Sequence, residues 1–399
     1  MFVSHQPNTT RRLTPEHEKT VKATLPVIGA HINEITPVFY NKMFTAHPEL
    51  IADTFNRGNQ KQGDQQKALA ASIAVFATML VDPDAPDPKE MLSRIGHKHV
   101  SLGITRDQYQ IVHDNLFAAI VEVLGEAVTP EVAEAWDEVY WIMADVLIEF
   151  EQDLYDSDGV TAGDVFRKVK VTGKEDISDG VIELTVTGDL KAPQPGQYTS
   201  LGVKLPDGAR QLRQYSLISG TDTEYRVAIE VTGEVSTFIR DNVHVGDEID
   251  ATLPAGELVL DDSPRPVVLI SQGIGSTPMV GMLSALAEEG SSRPVTVWHA
   301  DASESAHAQR EEMTTLVGKL PHASMETFYR DQDQRLALSS GCGRGCSGKQ
   351  DALAGADVYL CGGTGFLQNI REQIAALPAE KAPATLRFEL FSPNDWLIG

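Results

Sequence analysis

Two histidines stand two positions apart in the segment GHKHVSLG, residues 96–103, of a chain that holds only 11 histidines. An imidazole can ligate a metal, move a proton or sit buried against a polar partner. Residues two apart on a helix point nearly opposite ways, so at most one of this pair faces inward. Leu92, Ile95, His99 and Leu102 follow at steps of three, four and three and share one helical face, whereas His97 falls behind Ser93 and Arg94 on the polar side. The pattern selects His99. On this segment alone, a satisfied core histidine fits as well as a ligand.

Two further stripes bear on that choice. Gln65, Leu69, Ile73, Phe76 and Leu80 form an apolar line headed by an amide, and Tyr140, Met143, Leu147, Glu151 and Leu154 form one that carries an acid. An inward Gln and an inward Glu both need partners. Singly, each fits a solvated residue at a helix edge. Three polar residues on three inward faces point to an enclosed site.

Residues 14–155 read as helical throughout, with Thr14–Pro15 and Thr129–Pro130 each supplying an N-cap and a first-turn proline, and with DPDAPDP breaking the run at 82–88. After YDSDGVTAGD the period changes to alternation. VIELTVTG sets Ile182, Leu184 and Val186 against Glu183 and Thr185, and RVAIEVTG and LRQYSLIS are similarly short, as in an antiparallel sheet or small barrel. From Pro264, the compact apolar runs RPVVLIS, RPVTVWHA, ADVYLCGG and LRFELF are separated in part by helical segments, an α/β nucleotide-binding pattern. The predicted order is a helical domain over 1–156, a β-barrel over 157–262 and an α/β domain over 263–399.

Composition narrows the function classes. With 33 Lys+Arg against 57 Asp+Glu and a net charge of −24, the 399-residue chain is a poor partner for nucleic acid. Its N-terminus MFVSHQPNTTRR shows no apolar core of signal-peptide length, no run reaches a membrane span, and Cys342, Cys346 and Cys361 are too few for a disulfide framework. A cytoplasmic, monomeric protein without stable membrane association is expected. GRGCSGKQ, residues 343–350, almost spells a phosphate-binding P-loop but lacks the final Ser/Thr for magnesium and has no apolar strand leading into it. Cys342 and Cys346 have no second cysteine pair with which to complete a metal site.

In the second half, RQYSL places Arg213 and Tyr215 on one side of a strand and Gln214 and Ser216 on the other; PGQY precedes it by one hairpin. GEVSTFI follows, with Gly233, Val235, Ser236 and Thr237; Ser236 and Thr237 are candidate caps of a helix N-terminus that could receive a pyrophosphate. LISQGIGSTPM runs from a strand through Gly273, Ile274, Gly275 and Ser276 into Thr277 and Pro278 of a helix, and YLCGGTGF carries Cys361 and Gly362. Glycines let backbone approach a phosphate, and a helix N-terminus attracts it.

FYNKMF, TFNRGNQKQGDQQKAL and IGHKHVSLGITRDQY resemble the globin domain of flavohaemoglobins, and the resemblance extends through the whole chain in domain order. It implies an all-α globin domain, an antiparallel β-barrel FAD domain and a Rossmann-like NAD domain, carrying haem b, FAD and NADH or NADPH. By match, His99 is the iron ligand, Tyr40 and Gln65 the distal polar pair, and Phe55 and Leu69 haem-packing residues. Tyr109 and Glu151 match the pair bonded to the far nitrogen of the histidine, and Lys98 the position beside it that tunes haem potential. The barrel region is similar to the ferredoxin–NADP reductase family. There Tyr198 and Tyr215 flank the flavin, Arg213 meets its phosphates and Ser216 lies near the reactive ring nitrogen. Glu230 stands where relatives often carry a basic residue, Gly363 replaces a usual proline and Gln272 a usual small residue. FELFSPNDW resembles the flavin-covering end, with Glu389 tuning the flavin and Leu390, Phe391, Ser392 and Pro393 beside it.

The activity implied is nitric oxide dioxygenation: nitric oxide and dioxygen become nitrate, with electrons from the nicotinamide passing through FAD to haem. The alternatives are a general NADH-dependent flavohaem reductase and a haem-based sensor of dioxygen or nitric oxide; a sensor would need an output module in place of the reductase. NADH is favoured over NADPH because VTVWHA is followed by Asp301 and Glu304, with no Arg or Lys before Arg310.

Overall fold

The computed structural model describes residues 12–57, 64–82, 88–338 and 346–391. They form two compact units, the first holding the helices through Phe166 together with Lys204–Leu212, the second holding Arg167–Val203 and the chain from Arg213 onward.

In the first unit the helices are α1 (Pro15–Ala46), α2 (Pro48–Asp53), α3 (Asp64–Val81), α4 (Pro88–Val100), α5 (Arg106–Leu124) and α6 (Pro130–Asp158). Both expected caps are present. Thr14 accepts from the His17 N–H at 3.2 Å and Thr129 from the Val132 N–H at 3.4 Å, each followed by a proline whose missing N–H costs nothing there. Gln108 returns a bond to the Thr105 N–H at 2.8 Å and so opens α5, and Gly159 closes α6 with a left-handed φ of 72°. Phe39, Met43, Phe76, Leu116 and Trp136 are the centre of one apolar core. The Trp136 indole donates to Thr24 Oγ1 at 2.8 Å, so its N–H is not stranded there.

The second unit opens with a closed barrel. Its strands β1 (Phe166–Ser178), β2 (Val181–Gly188), β3 (Tyr198–Lys204), β4 (Arg210–Gly220), β5 (Glu224–Glu230) and β6 (Glu248–Thr252) run in the order β1-β2-β5-β4-β3-β6. The alternation in VIELTVTG is borne out: Ile182, Leu184 and Val186 are buried while Glu183 and Thr185 are partly exposed. Helix α7 (Glu234–Asn242) follows β5, and Lys174 of β1 donates through Nζ to the carbonyls of Ile239, Arg240 and Val243 at its C-terminus.

A parallel sheet of order β11-β10-β7-β8-β9 completes the unit. It contains β7 (Val267–Gln272), β8 (Val295–Asp301), β9 (Ala323–Tyr329), β10 (Asp357–Gly362) and β11 (Thr385–Leu390), with helices α8 (Thr277–Glu288), α9 (Arg310–Lys319), α10 (Cys346–Leu353) and α11 (Thr364–Ala375). Four of these strands are the apolar runs of the sequence. The fifth, β9, carries no such run: at the sheet edge ASMETFY is only partly buried. Arg226 of β5 binds Glu183 of β2 at 2.8 Å and Glu312 of α9 at 2.7 Å, which ties barrel to sheet layer within this unit.

At the N-terminal edge of the sheet, Asp357 has no exposed surface and accepts from Ser263 Oγ at 2.5 Å, Arg265 Nε at 2.7 Å, Thr385 Oγ1 at 2.8 Å and Arg293 Nη2 at 3.1 Å. One carboxylate thus joins the starts of four chain segments. Burial opposes its charge, but the bonds from Ser263, Thr385 and Arg265 outweigh burial and hold the carboxyl below the usual range. Asp357→Asn is expected to cost about 3 kcal/mol at neutral pH in chemical denaturation, since it removes the anion that a buried cluster of donors surrounds and leaves the mostly buried Arg293 without its charged partner. A carboxyl with a depressed pKa contributes stability above its unfolded value of about 3.9 and loses it as pH falls through the folded value. The gap between wild type and variant should therefore close in acid.

Candidate functional site

His99, on the last turn of α4, meets Tyr109 of α5 and Glu151 of α6. His99 Nδ1 lies 2.7 Å from Glu151 Oε1 and 3.1 Å from the Tyr109 hydroxyl, and that hydroxyl donates to the same Oε1 at 2.5 Å. Glu151 is only 3% exposed, so its charge requires these donors. Burial and the Glu151 charge together push the Tyr109 phenol far above the usual tyrosine range, so it stays a donor. With Nδ1 carrying the proton toward a carboxylate, the lone pair resides on Nε2, which has no hydrogen-bond partner among the described residues. That is the tautomer a metal requires.

Two local features bring these side chains together. A Cβ on Gly96 would sit 2.3 Å from Phe150 Cδ1, so the missing side chain lets α4 lie directly on α6, one residue from Glu151. The Tyr140 hydroxyl donates to the Tyr109 carbonyl at 2.6 Å and fixes α5 against α6. His97 takes the other direction, its ring edge-on to Phe150 with centroids 5.5 Å apart, so the structure keeps the two histidines apart as their spacing requires.

Tyr40, 5% exposed, belongs to an aromatic group with Phe39, Phe44 and Phe55, and its ring centroid lies 4.7, 5.6 and 6.1 Å from theirs. Gln211 Nε2 of Lys204–Leu212 donates to the carbonyls of Ile51, Ala52 and Phe55 and holds the segment bearing Phe55. Leu69 packs on the same core, and Lys98 sits beside His99 on α4. Gln65 falls in α3, but its side chain lies outside the described residues.

In the second unit Tyr198 pairs with Ala255 at the start of β3, while Arg213, Gln214, Tyr215 and Ser216 follow one another on β4. Gln214 Nε2 donates to Ser200 Oγ at 3.4 Å. Of the two expected caps of α7, Ser236 takes part, as the returning arm of a capping box, and Thr237 does not. Gly233 is the N-cap; Ser236 Oγ reaches back from the first turn to accept from the N–H groups of Thr232 at 3.1 Å and Gly233 at 3.0 Å. The Thr237 N–H is already in the helix ladder, bonded to the Gly233 carbonyl, and Val235 is buried.

At the C-terminal edge of the sheet β7 turns through Gly273–Ser276 into α8, with Thr277 and Pro278 in its first turn. A Cβ on Gly275 would stand 2.5 Å from the Cys361 carbonyl oxygen and 2.9 Å from the Gly362 N. Only glycine allows the turn to press against the end of β10, which brings Ile274, Cys361 and Gly362 to one edge. Gly363, the N-cap of α11, has φ −68°, the value the usual proline would impose, so that replacement leaves the backbone path intact. Ser276 Oγ meets Gln309 Oε1, while Gln309 Nε2, buried, has no partner among the described residues. Burial, then the Glu389 charge, raises the Cys361 thiol; Glu389 pairs in register with Cys361 on β11. Leu390 is buried and Phe391 exposed, whereas Ser392 and Pro393, like Cys342, lie outside the described residues.

One part of the NADH expectation needs correction: Arg310 Nη2 pairs with Glu304 at 2.7 Å, so that acid has a basic partner. Asp301, at the end of β8, does not share it.

Comparison with known proteins fits this two-part arrangement. Residues 38–147 match the family described as Globin and residues 269–372 the Oxidoreductase NAD-binding domain. The chain is 40% identical to a flavohemoprotein of Deinococcus radiodurans, covering 96% of this chain and 98% of that one. The chain belongs to the flavohemoprotein family. Another member, from Bacillus subtilis, is 33% identical over 94% of this chain and 96% of its own. A flavohemoglobin from Malassezia yamatoensis, solved with bound FAD and heme, superposes with a TM-score of 0.86 at 34% identity, covering 95% of this chain and all of that one. The FAD/NAD-binding domain of a nitric oxide dioxygenase from Vibrio cholerae matches 57% of this chain and 99% of its own at 31% identity, TM-score 0.50.

In this flavohemoprotein, sequence reasoning missed Gly96, Ser271, His299 and Gln309. Glycine ahead of HKH was a visible signal for Gly96. The others carry no periodicity that separates them from strand and loop neighbours. Tyr109→Phe removes the hydroxyl bonded to buried Glu151 and is expected to destabilise the protein by about 2 kcal/mol, read from urea midpoints.

Proposed function

We propose that this flavohemoprotein is an NADH-dependent nitric oxide dioxygenase, with haem b in 1–156, FAD in 157–262 and the nicotinamide dinucleotide in 263–399. The observation that carries the reading is the His99–Tyr109–Glu151 cluster, with its uncommitted Nε2, on the same chain as the glycine cradle at Gly275. The donor set fits the groups: an imidazole held by a carboxylate suits haem iron, and a turn without a Cβ opening into α8 suits a pyrophosphate. When bound, haem supplies the iron at which nitric oxide and dioxygen combine to nitrate, and FAD converts a two-electron donor into single electrons.

The protein's own residues do the rest. His99 is the iron ligand, and Glu151, accepting from its Nδ1–H, makes the imidazole a stronger donor. Tyr40 offers a hydroxyl to dioxygen as it gains negative charge, and Phe39, Phe44 and Phe55 around it exclude water. Gln65, Leu69 and Lys98 complete the haem surroundings. Tyr198, Arg213, Gln214, Tyr215, Ser216, Gly233, Val235, Ser236 and Thr237 would hold FAD, together with Glu389, Leu390 and Phe391; Ser392 and Pro393 belong to the same set by resemblance and lie outside the described residues. Gly273, Ile274, Gly275, Ser276, Thr277, Pro278, Cys361 and Gly362 receive the dinucleotide. Asp301 stands at the end of the strand next to the cradle, where such folds read the ribose; burial, and then the Asp301 charge, raise the carboxyl of Glu230. Two acids at that edge favour the hydroxyl of NADH over the phosphate of NADPH. No described helix is long and apolar enough to cross a membrane. The net charge of −24 and the free Cys361 support a cytoplasmic monomer acting without nucleic acid.

Stopped-flow mixing of the reduced, oxygenated enzyme with nitric oxide should give nitrate on the timescale of turnover. Slow reaction without nitrate would favour a general reductase. His99→Ala should lose haem and retain flavin, measured by absorbance of the purified protein. Tyr40→Phe should speed dioxygen dissociation by roughly tenfold or more, the loss of one bond to a charged ligand worth about 1.5–3 kcal/mol.

A further inference from the structure

Beneath the C-terminal edge of the sheet lies a buried polar chain that the haem and flavin chemistry leaves unused. His299 of β8 has no exposed surface, and neither has Ser271, its register partner on β7. Ser271 Oγ lies 2.9 Å from His299 Nδ1, and His299 Nε2 lies 3.2 Å from Asp301 Oδ2. The other Asp301 oxygen accepts from the Ala302 N–H at 2.6 Å.

These contacts assign the protons. Asp301 is acceptor-only, so His299 donates to it from Nε2; Nδ1 then accepts from the Ser271 hydroxyl. The imidazole plane is held from one side by His307, stacked with centroids 3.8 Å apart and interplanar angle 25°. His307 is itself buried, with Nδ1 3.2 Å from the Tyr329 hydroxyl and Nε2 3.4 Å from Met313 Sδ. Burial, reinforced by His299, pushes His307 down to about 3, so it stacks as a neutral ring. Two imidazoles, a serine and a tyrosine are thus taken out of water around one carboxylate whose side chain is 9% exposed. Burying that much polarity is unfavourable unless every group is bonded. Of Ser271, His299 and Asp301, only Asp301 keeps exposed surface.

We propose that His299 is a positioning residue for dinucleotide selection: through the Ser271–His299–Asp301 chain it aims the Asp301 carboxylate at the adenosine ribose. With one lone pair of each oxygen committed to His299 and Ala302, the remaining pairs point in fixed directions. A ribose 2′-hydroxyl can donate to them, and a 2′-phosphate meets an oriented charge that cannot swing aside. The proposal rests on the reading that Asp301 lies at the ribose, so its test separates the two.

Isothermal titration of the full-length protein with NAD+ and with NADP+ gives the selectivity, the Kd for NADP+ divided by the Kd for NAD+. Asp301→Asn should lower that ratio by tenfold or more. His299→Leu should lower it by roughly tenfold, the size of one hydrogen bond to a charged group. His299→Gln, whose amide can still donate to Asp301, should keep most of it. In steady state His299→Leu should raise KM for NADH and leave kcat at saturation unchanged, which a general loss of structure would not do. If Asp301→Asn leaves the ratio unchanged, the ribose reading fails and the proposal with it. If Asp301→Asn lowers it while His299→Leu does not, the ribose reading stands and the positioning role is overturned. Should His299→Leu not fold, Ser271→Ala decides: a twofold to threefold fall supports the chain, and an unchanged ratio overturns it.

Discussion

The helical unit depends on one buried carboxylate. Glu151 carries a charge away from water, and a charge in that position is tolerated only where donors converge on it. His99 and Tyr109 are those donors, each from a different helix. The requirement therefore fixes the mutual placement of α4, α5 and α6 more sharply than apolar packing could, since hydrophobic contact has no direction. Gly96 permits the approach, and the Tyr140–Tyr109 bond holds it. The same carboxylate decides which imidazole nitrogen keeps its lone pair. One interaction thus sets both the geometry of the helices and the chemistry offered at Nε2.

In the second unit the two edges of the parallel sheet have different duties. The N-terminal edge is bound together by Asp357, with two arginines and two hydroxyls around it. The C-terminal edge is left open in backbone terms: glycine at 275 brings the turn against β10, and helices α8 and α11 begin there. A closed, charged end opposite an end rich in helix N-termini is what a sheet needs to receive a phosphate without unravelling. Gly363 shows how loosely residue type can be tied to this path. It adopts the φ that proline would enforce, because the start of α11 imposes it.

Much of this was legible in the chain itself. Periodicity alone chose His99 over His97, because a helix turns adjacent-but-one residues to opposite faces. Thr14–Pro15 and Thr129–Pro130 marked helix starts through bonds that span three residues. The change from helical to alternating to continuous apolar pattern marked the helical, barrel and α/β folds in chain order. The resemblance to flavohaemoglobins paired Tyr109 and Glu151 with His99. The shortcomings were local and had causes. Strand β9 is an edge strand whose outward residues meet water, so it had no apolar run to read. Thr237 looked like a cap by type, but the N-cap is the residue that leaves helical φ and ψ, which is Gly233, and Ser236 caps it from inside the first turn.

Tertiary structure decided whatever depends on residues distant in sequence. Ser271 and His299 are brought together by strand register, and His307 stacks on His299 from the loop beyond. Asp357 gathers residues from four segments. Local patterns report secondary structure and which face is buried, because those are set by neighbours within a few residues. Hydrogen-bond partners across strands and helices are set by register and packing distance, and a shift of one residue in either would exchange every partner named here.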